Sequence, residues 1–342
     1  MKFLFLNKSD EKLGSNRIYI KNLSERMANL GHQVKISNTI SEGYDVYILS
    51  KSCNINDVIS VRNLNNESLI GIIHPSDLNL KLLRKLKKSD FFITGSIEEQ
   101  DYYYQYNKNV FLLPQIENIK IKNKLHRKKD KIKIGYHGNL EHLEEMEGAC
   151  SNALERLSKK YDLDLTAIYD QSLGQWKKGR PKNINIVEYN WTSIEDLISN
   201  LEDVDIGIVP CTNNFFLDNK KKQSNIFTYL IRKFTGGYNK RHNDYIIRFK
   251  NTSNAGRANV FHQLGIPVVA GFWPSNFHII ENRKYGFLAH SENGWYNSLE
   301  KLINSFQLRQ NIADNVTKEF VSKYDNIDLT KNLLTDIQKI LK

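Results

Sequence analysis

The sequence has little cysteine, no long apolar run and a shortage of acid. Cys53, Cys150 and Cys211 are odd in number, scattered, and in none of the close spacings that hold a metal. That usage excludes a disulfide scaffold and predicts reduced thiols in a cytoplasm. No segment approaches the roughly 18 apolar residues of a membrane span. The opening MKFLFLNKSDEKLG has too short an apolar run for a secretory leader, and no small-residue cleavage site follows it. Its better reading is a first buried strand. Acidic residues number 38 against 49 basic ones, a formal charge of +11. Such an excess suits anionic partners: nucleic acid, an anionic membrane surface or phosphorylated substrates. A coding bias toward Lys, Asn and Ile produces the same excess by itself, and the two readings stay open.

What is present is a chain of 342 residues, 40% hydrophobic and 25% charged. That is long enough for about two domains, each able to bury a core. Short apolar runs alternate with helical patterns. In the first third the runs are Lys2–Leu6, Val34–Ile36, Val46–Leu49, Leu69–Ile73, DFFITGS (90–96) and NVFLLPQ (109–115). Ile20, Leu23, Met27 and Leu30 have helical spacing, with Ser15 or Asn16 as the cap and Gly31 as the stop. Such alternation implies a parallel sheet covered on both faces. A basic stretch, IKIKNKLHRKKDKIK, then interrupts the pattern and reads as a linker.

The pattern restarts with IKIGYHGN, followed by a helix over 141–160, strands at 163–169 and 184–187, a helix over 193–201 and a strand at 206–209. Helices across 295–306, 308–324 and 329–341 close the chain. A long connection between Pro210 and Arg248 breaks the rhythm. In it Ile226, Phe227, Leu230, Ile231 and Phe234 share a helical face beside Arg232 and Lys233. This face either meets a membrane or large acceptor or, the more economical reading, packs on its own domain.

The most informative stretch is KNTSNAGRANVFHQLGIPVVAG. Ser253 or Asn254 can cap a helix from about Ala255 to Leu264. Ala258, Phe261 and Leu264 would face the sheet, Gly265 suits the helix stop, and Val268–Ala270 reads as a buried strand. The helix would then point its amino end at the carboxyl edge of the sheet, where its free N–H groups attract an anion. Gly256 allows close backbone approach, Arg257 can fork onto phosphate oxygens, and Lys250 adds a point charge. A diphosphate fits this set.

Here the sequence resembles the retaining, nucleotide-sugar-dependent glycosyltransferases of the GT-B type, especially the family 4-like group. GSNRIYIKNLSERMANLGHQV is similar to their glycine loop and first helix, and DFFITGSIEEQDYYYQYNKNVFLLPQIEN to the last strand–helix–strand of the acceptor domain. IKIGYHGN resembles the opening of the donor domain, SIEDLISNLEDVDIGIVP the strand before the phosphate helix, GRANVFHQLGIPVVA the donor site, and YGFLAHSENGWYNSLEKLI the strand and helix after it. The resemblance implies an α/β fold of two Rossmann-like domains facing across a cleft (GT-B). Residues 1–118 would be the acceptor domain, 119–131 the linker, and 132–324 the donor domain with an insertion at about 212–248. Residues 325–342 would form a C-terminal helix packed back on the first domain. One departure stands out. Relatives carry two glutamates eight positions apart, and Thr252 and Val260 occupy those places here.

The resemblance implies transfer of a sugar from a nucleotide sugar to a glycan or lipid-linked acceptor, without a metal or cofactor, at the inner face of the cell membrane. Alternatives on the same fold are a nucleotide-sugar epimerase and a non-catalytic partner protein. Nucleic acid is disfavoured because the basic residues cluster in the linker and insertion, with no reading motif. Arg257, Lys250 and the amides of Ser253, Asn254, Ala255 and Gly256 would neutralise the departing diphosphate. Amides of Gly138 and Asn139, and of Gly14 and Ser15, would close over it from both domains. His74 ends a buried strand facing the cleft, where relatives place a histidine against the transferred sugar. Should transfer invert the sugar, His74 or Asp77 would be the general base. Phe272 and Trp273 are expected near the donor pocket. Asp162-x-Asp164 opens a strand away from the cleft and is discounted as a metal motif, and Glu144, Glu145 and Glu147 are read as a solvated helix face.

Overall fold

The computed structural model describes residues 1–8, 14–75, 87–211 and 254–341. Asp77, Lys250, Ser253, Thr252 and the 212–248 insertion, with its amphipathic segment, lie outside the described residues.

The short apolar runs become strands of two all-parallel sheets. The first holds β1 (Lys2–Leu6), β2 (Gln33–Ser37), β3 (Val46–Leu49), β4 (Leu69–Ile73), β5 (Phe91–Thr94) and β6 (Val110–Leu112), in the order β2-β1-β3-β4-β5-β6. The second holds β7 (Lys131–His137), β8 (Asp162–Tyr169), β9 (Asn185–Asn190), β10 (Ile206–Val209), β11 (Val268–Ala270) and β12 (Gly286–Leu288), in the order β12-β11-β10-β7-β8-β9. Alternate side chains of one strand serve opposite faces. Phe3 and Phe5 pack with Ile48, Leu23 and Met27, while Leu4 and Leu6 pack with Tyr47, Leu49 and Val58. Both faces of the sheet are therefore buried, which explains the continuous apolar runs.

Ten helices complete the description used below: α1 (Leu23–Asn29), α2 (Ile55–Leu64), α3 (Ile97–Tyr104), α4 (Ala149–Leu157), α5 (Ile194–Leu201), α6 (Gly256–Gln263), α7 (Pro274–Ile279), α8 (Glu292–Asn304), α9 (Phe306–Lys323) and α10 (Asn326–Leu341). The helix expected over 141–160 is broken. A turn at Leu140–Leu143 and a 3₁₀ turn at Glu144–Met146 precede Gly148, whose φ of 89° only glycine adopts at ease, and α4 starts after it. The first helix also differs from expectation. Arg17–Asn22 is a π-helical segment before α1, and Asn16, at its N-cap position, makes no side-chain cap hydrogen bond to it.

The order reversals lie between β1 and β3 in the first sheet and between β7 and β10 in the second. Open α/β sheets bind ligands at the carboxyl ends of strands beside such reversals. Two further features fix how the sheets meet. Residues 113–130, free of helix and strand, run along α6: Asn259 Nδ2 donates to Gln115 O at 3.0 Å, Gln263 Nε2 to Glu117 O at 3.0 Å, and Lys122 N to Gln263 O at 2.8 Å. The C-terminal α10 crosses back to the first sheet, where Leu333, Leu334 and Ile337 join the core of Phe3, Phe5 and Leu23.

Candidate active site at the seam of the two sheets

The stretch that drew attention in the sequence forms α6. Ala258, Phe261 and Leu264 are buried against the second sheet, as their spacing predicts, and Gly265 ends the helix at φ 68°. The cap falls slightly later than expected. Gly256 is the first helical residue, and Asn254 Oδ1 accepts its N–H at 3.0 Å. Val260, at the second glutamate position of relatives, is buried in the core behind the helix.

Arg257 sits in the first turn of α6 beside the loop after β7. Its Nη1 is buried and has no hydrogen-bond partner among the described residues. A buried, unpaired donor on a cation is costly unless a ligand completes it. Gly138 makes the room: a Cβ there would lie 2.8 Å from Arg257 Cδ and 2.8 Å from the Tyr136 hydroxyl. The expected phosphate role of the Gly138 amide is not what the geometry gives, since that N–H donates to Ile168 O at 3.1 Å. Gly138 contributes space instead. Asn139 caps the Leu140–Leu143 turn, and its carbonyl accepts the Tyr136 hydroxyl at 2.7 Å. Burial pushes the Tyr136 phenol up, and the Arg257 guanidinium pulls it partly back. Burial likewise lowers His137 to about 4, so it is neutral at pH 7, with Nε2 3.0 Å from Arg257 O.

From the other side, the first sheet closes on the same helix. Gly95 and Ser96, at the carboxyl end of β5, line a small cavity with Ala255 and Asn259 of the α6 region. Gln115 lies against Gly256, where an added Cβ would meet its Oε1 at 2.7 Å. Glu98 of α3 accepts the backbone N–H of Ser275 in α7 at 2.8 Å. These contacts set the amino end of α6 at the seam between the sheets.

His74 directly follows β4, with a left-handed φ of 46°, and is buried. Ser15, Asn16, Ser50 and Lys51 line a cavity with it. The structure therefore brings Ser15 to His74 rather than showing it at Arg257, while Gly14 lies against the Arg17 guanidinium. Phe272 stacks on His290 at 5.7 Å and Trp273 is buried at the start of α7, so both serve packing first. Asp162 and Asp164 pair with Lys131 at the amino end of β8. Among the described residues no group of three or more His, Cys, Asp or Glu is placed to hold a metal ion. Glu145 is half-buried near Tyr136, so the face read as solvated is solvated only in part.

Two residues of the site escaped the sequence reading. Arg17 forks onto Glu117, its Nε at 3.1 Å, and lies 5.2 Å from the ring centre of Trp191, which follows β9 of the second sheet. Glu99, fully buried, holds His74. Both pairings are remote in sequence; only the acid-rich start of α3 after Ser96 could have hinted at Glu99.

A scan against protein-family models and a search of curated proteins found no match. Solved structures do match over the full chain. Sucrose-phosphate synthase from Thermosynechococcus elongatus is 10% identical at a TM-score of 0.65, covering 99% of both chains. HepE from Anabaena, in complex with UDP and glucose, is 11% identical at 0.65, covering 99% of this chain and 100% of that one. The lipopolysaccharide outer core galactosyltransferase WaaB is 13% identical at 0.60, covering 99% of each. Two facing Rossmann-like parallel sheets, a C-terminal helix returned to the first, and full-length overlap with these glycosyltransferases establish that the chain has the GT-B fold.

Proposed function

We propose that this chain is a glycosyltransferase that moves a sugar from a nucleotide-sugar donor to a glycan or lipid-linked acceptor in the synthesis of a surface polysaccharide or glycoconjugate. The observation that carries the reading is the buried, unpartnered Nη1 of Arg257. It lies in the first turn of a helix whose amino end carries partial positive charge, beside a glycine that keeps space open. A donor diphosphate supplies the acceptor oxygens this arrangement lacks. As the bond from sugar to phosphate breaks, negative charge grows on the diphosphate, and a preorganised cation stabilises that charge without a metal.

The neighbours support the substrate class. HepE was solved with UDP and glucose, and WaaB is a galactosyltransferase of an outer-core lipopolysaccharide. No helix among the described residues is long and apolar enough to cross a membrane. Work on a lipid-linked acceptor would then take place from the membrane surface, which suits the basic charge of the chain. The resemblance carries retention of sugar configuration with it.

The test is thermal unfolding with a panel of nucleoside diphosphates and nucleotide sugars. A ligand at a hundred times its Kd stabilises by about 2.7 kcal/mol. UDP, or another member of the panel, is expected to raise the Tm of the wild type, and Arg257→Ala to abolish most of that rise. Equal responses from the two proteins would overturn the assignment.

A further inference from the structure

The first sheet has a recess of its own, apart from Arg257. It lies at the carboxyl ends of β3 and β4, next to the order reversal between β1 and β3, where open α/β sheets bind ligands. Ser50 and Lys51 follow β3, His74 follows β4, and Ser15, Asn16 and Ile20 come in from the segment after β1. The space is about 230 Å³, counting what is open to solvent. Pockets that bury a whole small molecule hold roughly 300–1,000 Å³. The recess therefore suits one substituent of a sugar and no chain of sugars.

Its charge is one-sided. None of the described residues lining it is acidic, and Lys51 makes no hydrogen bond or ion pair to a described residue. Two carboxylates touch neighbours of the recess, and both are engaged. Asp57 takes the Lys8 ammonium at 2.6 Å and the Asn54 N–H at 2.7 Å. Lys8, whose own N–H reaches Ser50 Oγ at 3.5 Å, is thereby compensated. Glu99, fully buried, lies 2.9 Å from His74 Nδ1 and accepts the Gly95 N–H at 2.7 Å. Lys51 is left as the cation without a counter-charge, a point charge with three N–H donors.

The walls are fixed. The His74 ring stacks on Tyr19 at 6.0 Å between centres and 26° between planes, and the Tyr19 hydroxyl donates to Leu113 O at 3.0 Å. The His74 N–H donates to Ile93 O at 2.7 Å and holds the residue in its left-handed conformation. Strain of this kind concentrates at ligand sites. A site ordered before its ligand arrives loses little entropy on binding.

We infer that this recess takes the anionic group of a charged sugar, a carboxylate or a phosphate ester, and that Lys51 is the residue that selects it. The inference deepens the glycosyltransferase reading and rests on it, since the charged sugar is one of the two that the transfer joins. A uronate carries such a group on the transferred sugar, and a sugar phosphate carries it on the acceptor. In either case Lys51 pairs with the anion, and a neutral sugar leaves that ammonium unpaired.

The experiment measures binding by calorimetry and Tm for wild type, Lys51→Ala and Lys51→Arg. One arm compares UDP-glucose and UDP-galactose with UDP-glucuronate and UDP-galacturonate. The other, with and without UDP, compares glucose and galactose with their 6-phosphates and with inorganic phosphate. In one arm the charged sugar is expected to bind about 10- to 100-fold more tightly than its neutral counterpart, and that arm tells which sugar bears the anion. Lys51→Ala should erase the preference and keep the UDP-dependent Tm rise, while Lys51→Arg should keep both. No preference in either arm, or one that survives Lys51→Ala, would overturn the inference. Inorganic phosphate bound as tightly as the sugar phosphates would also overturn it, leaving a site for free phosphate. Loss of the UDP response in Lys51→Ala would give the recess to the diphosphate and sink the inference too. Failure of the donor reading shows separately, as a wild type whose Tm no UDP compound moves; the arm without UDP then decides on the recess by itself.

Discussion

A methyl group at position 138 would measure how tightly Arg257 is held. Gly138 has φ 143°, outside the range side chains favour, and an added Cβ collides with Arg257 Cδ and the Tyr136 hydroxyl at 2.8 Å each. Gly138→Ala is expected to cost more than about 1 kcal/mol of stability and to move the guanidinium. Nucleotide-dependent stabilisation should therefore shrink together with the Tm of the free protein, which melting curves with and without UDP would show. A variant that melts lower yet keeps the full nucleotide shift would mean that the Arg257 position is not what Gly138 protects. The placement of Arg257 in the first turn of α6 was legible in the sequence because the argument is local: a cap, a glycine and a cation within four positions. Glu99 and Arg17 were not. Each acts through a partner 25 or 100 residues away, and no spacing along the chain reveals such a pairing. Gly138 was read for its amide, whereas that N–H donates to Ile168 O and the missing side chain leaves room for Arg257 and Tyr136.

Elements with a buried apolar run were readable almost to the residue, since β1, β3, β4, β10 and β11 match their expected bounds. Two-sided burial leaves no polar alternation to confuse the ends. Helices were less so. The apolar positions Leu143, Met146, Ala153 and Leu157 continue at helical spacing across Gly148, so periodicity alone hides the break. The helix α2 was missed despite its reciprocal cap, in which Asn54 accepts the Asp57 N–H and Asp57 accepts the Asn54 N–H. The element with the largest structural reach is α10. Arg26 Nε donates to Thr330 Oγ1 at 2.9 Å across 304 residues of sequence, and Ile337 is fully buried beside the first sheet. Ile337→Ala is expected to cost about 2–5 kcal/mol through lost burial and the cavity left behind. Urea unfolding would read this as a lower midpoint with little change in slope. A cost under 1 kcal/mol would show that α10 is a peripheral strap and no part of that core.

The whole molecule carries its titration in its interior. Burial lowers His126, His137 and His262 to about 4 each, against an ordinary value of 6.5. Nearby cations add to the effect, Lys124 and Arg309 at His126, Arg257 and Arg17 at His137. Each histidine is thus neutral when folded but takes up a proton when unfolded at any pH between about 4 and 6.5. The unfolded chain binds more protons in that window, so stability is full above about 6.5 and falls as the pH drops toward 4. With up to three protons involved, the slope can approach about 4 kcal/mol per pH unit. The chain already carries +11 at neutral pH, and further protonation adds self-repulsion in the same direction. Urea midpoints at pH 7, 6 and 5 should therefore decline steeply, well before the carboxylates titrate. His262, in the last turn of α6, packs edge-on to Phe320 at 6.0 Å, and His262→Gln removes one of the three protons. That variant should show a shallower decline between pH 6.5 and 5 than the wild type. Parallel declines would mean that His262 is already protonated in the folded chain, and that its burial is less complete than the packing around Phe320 implies.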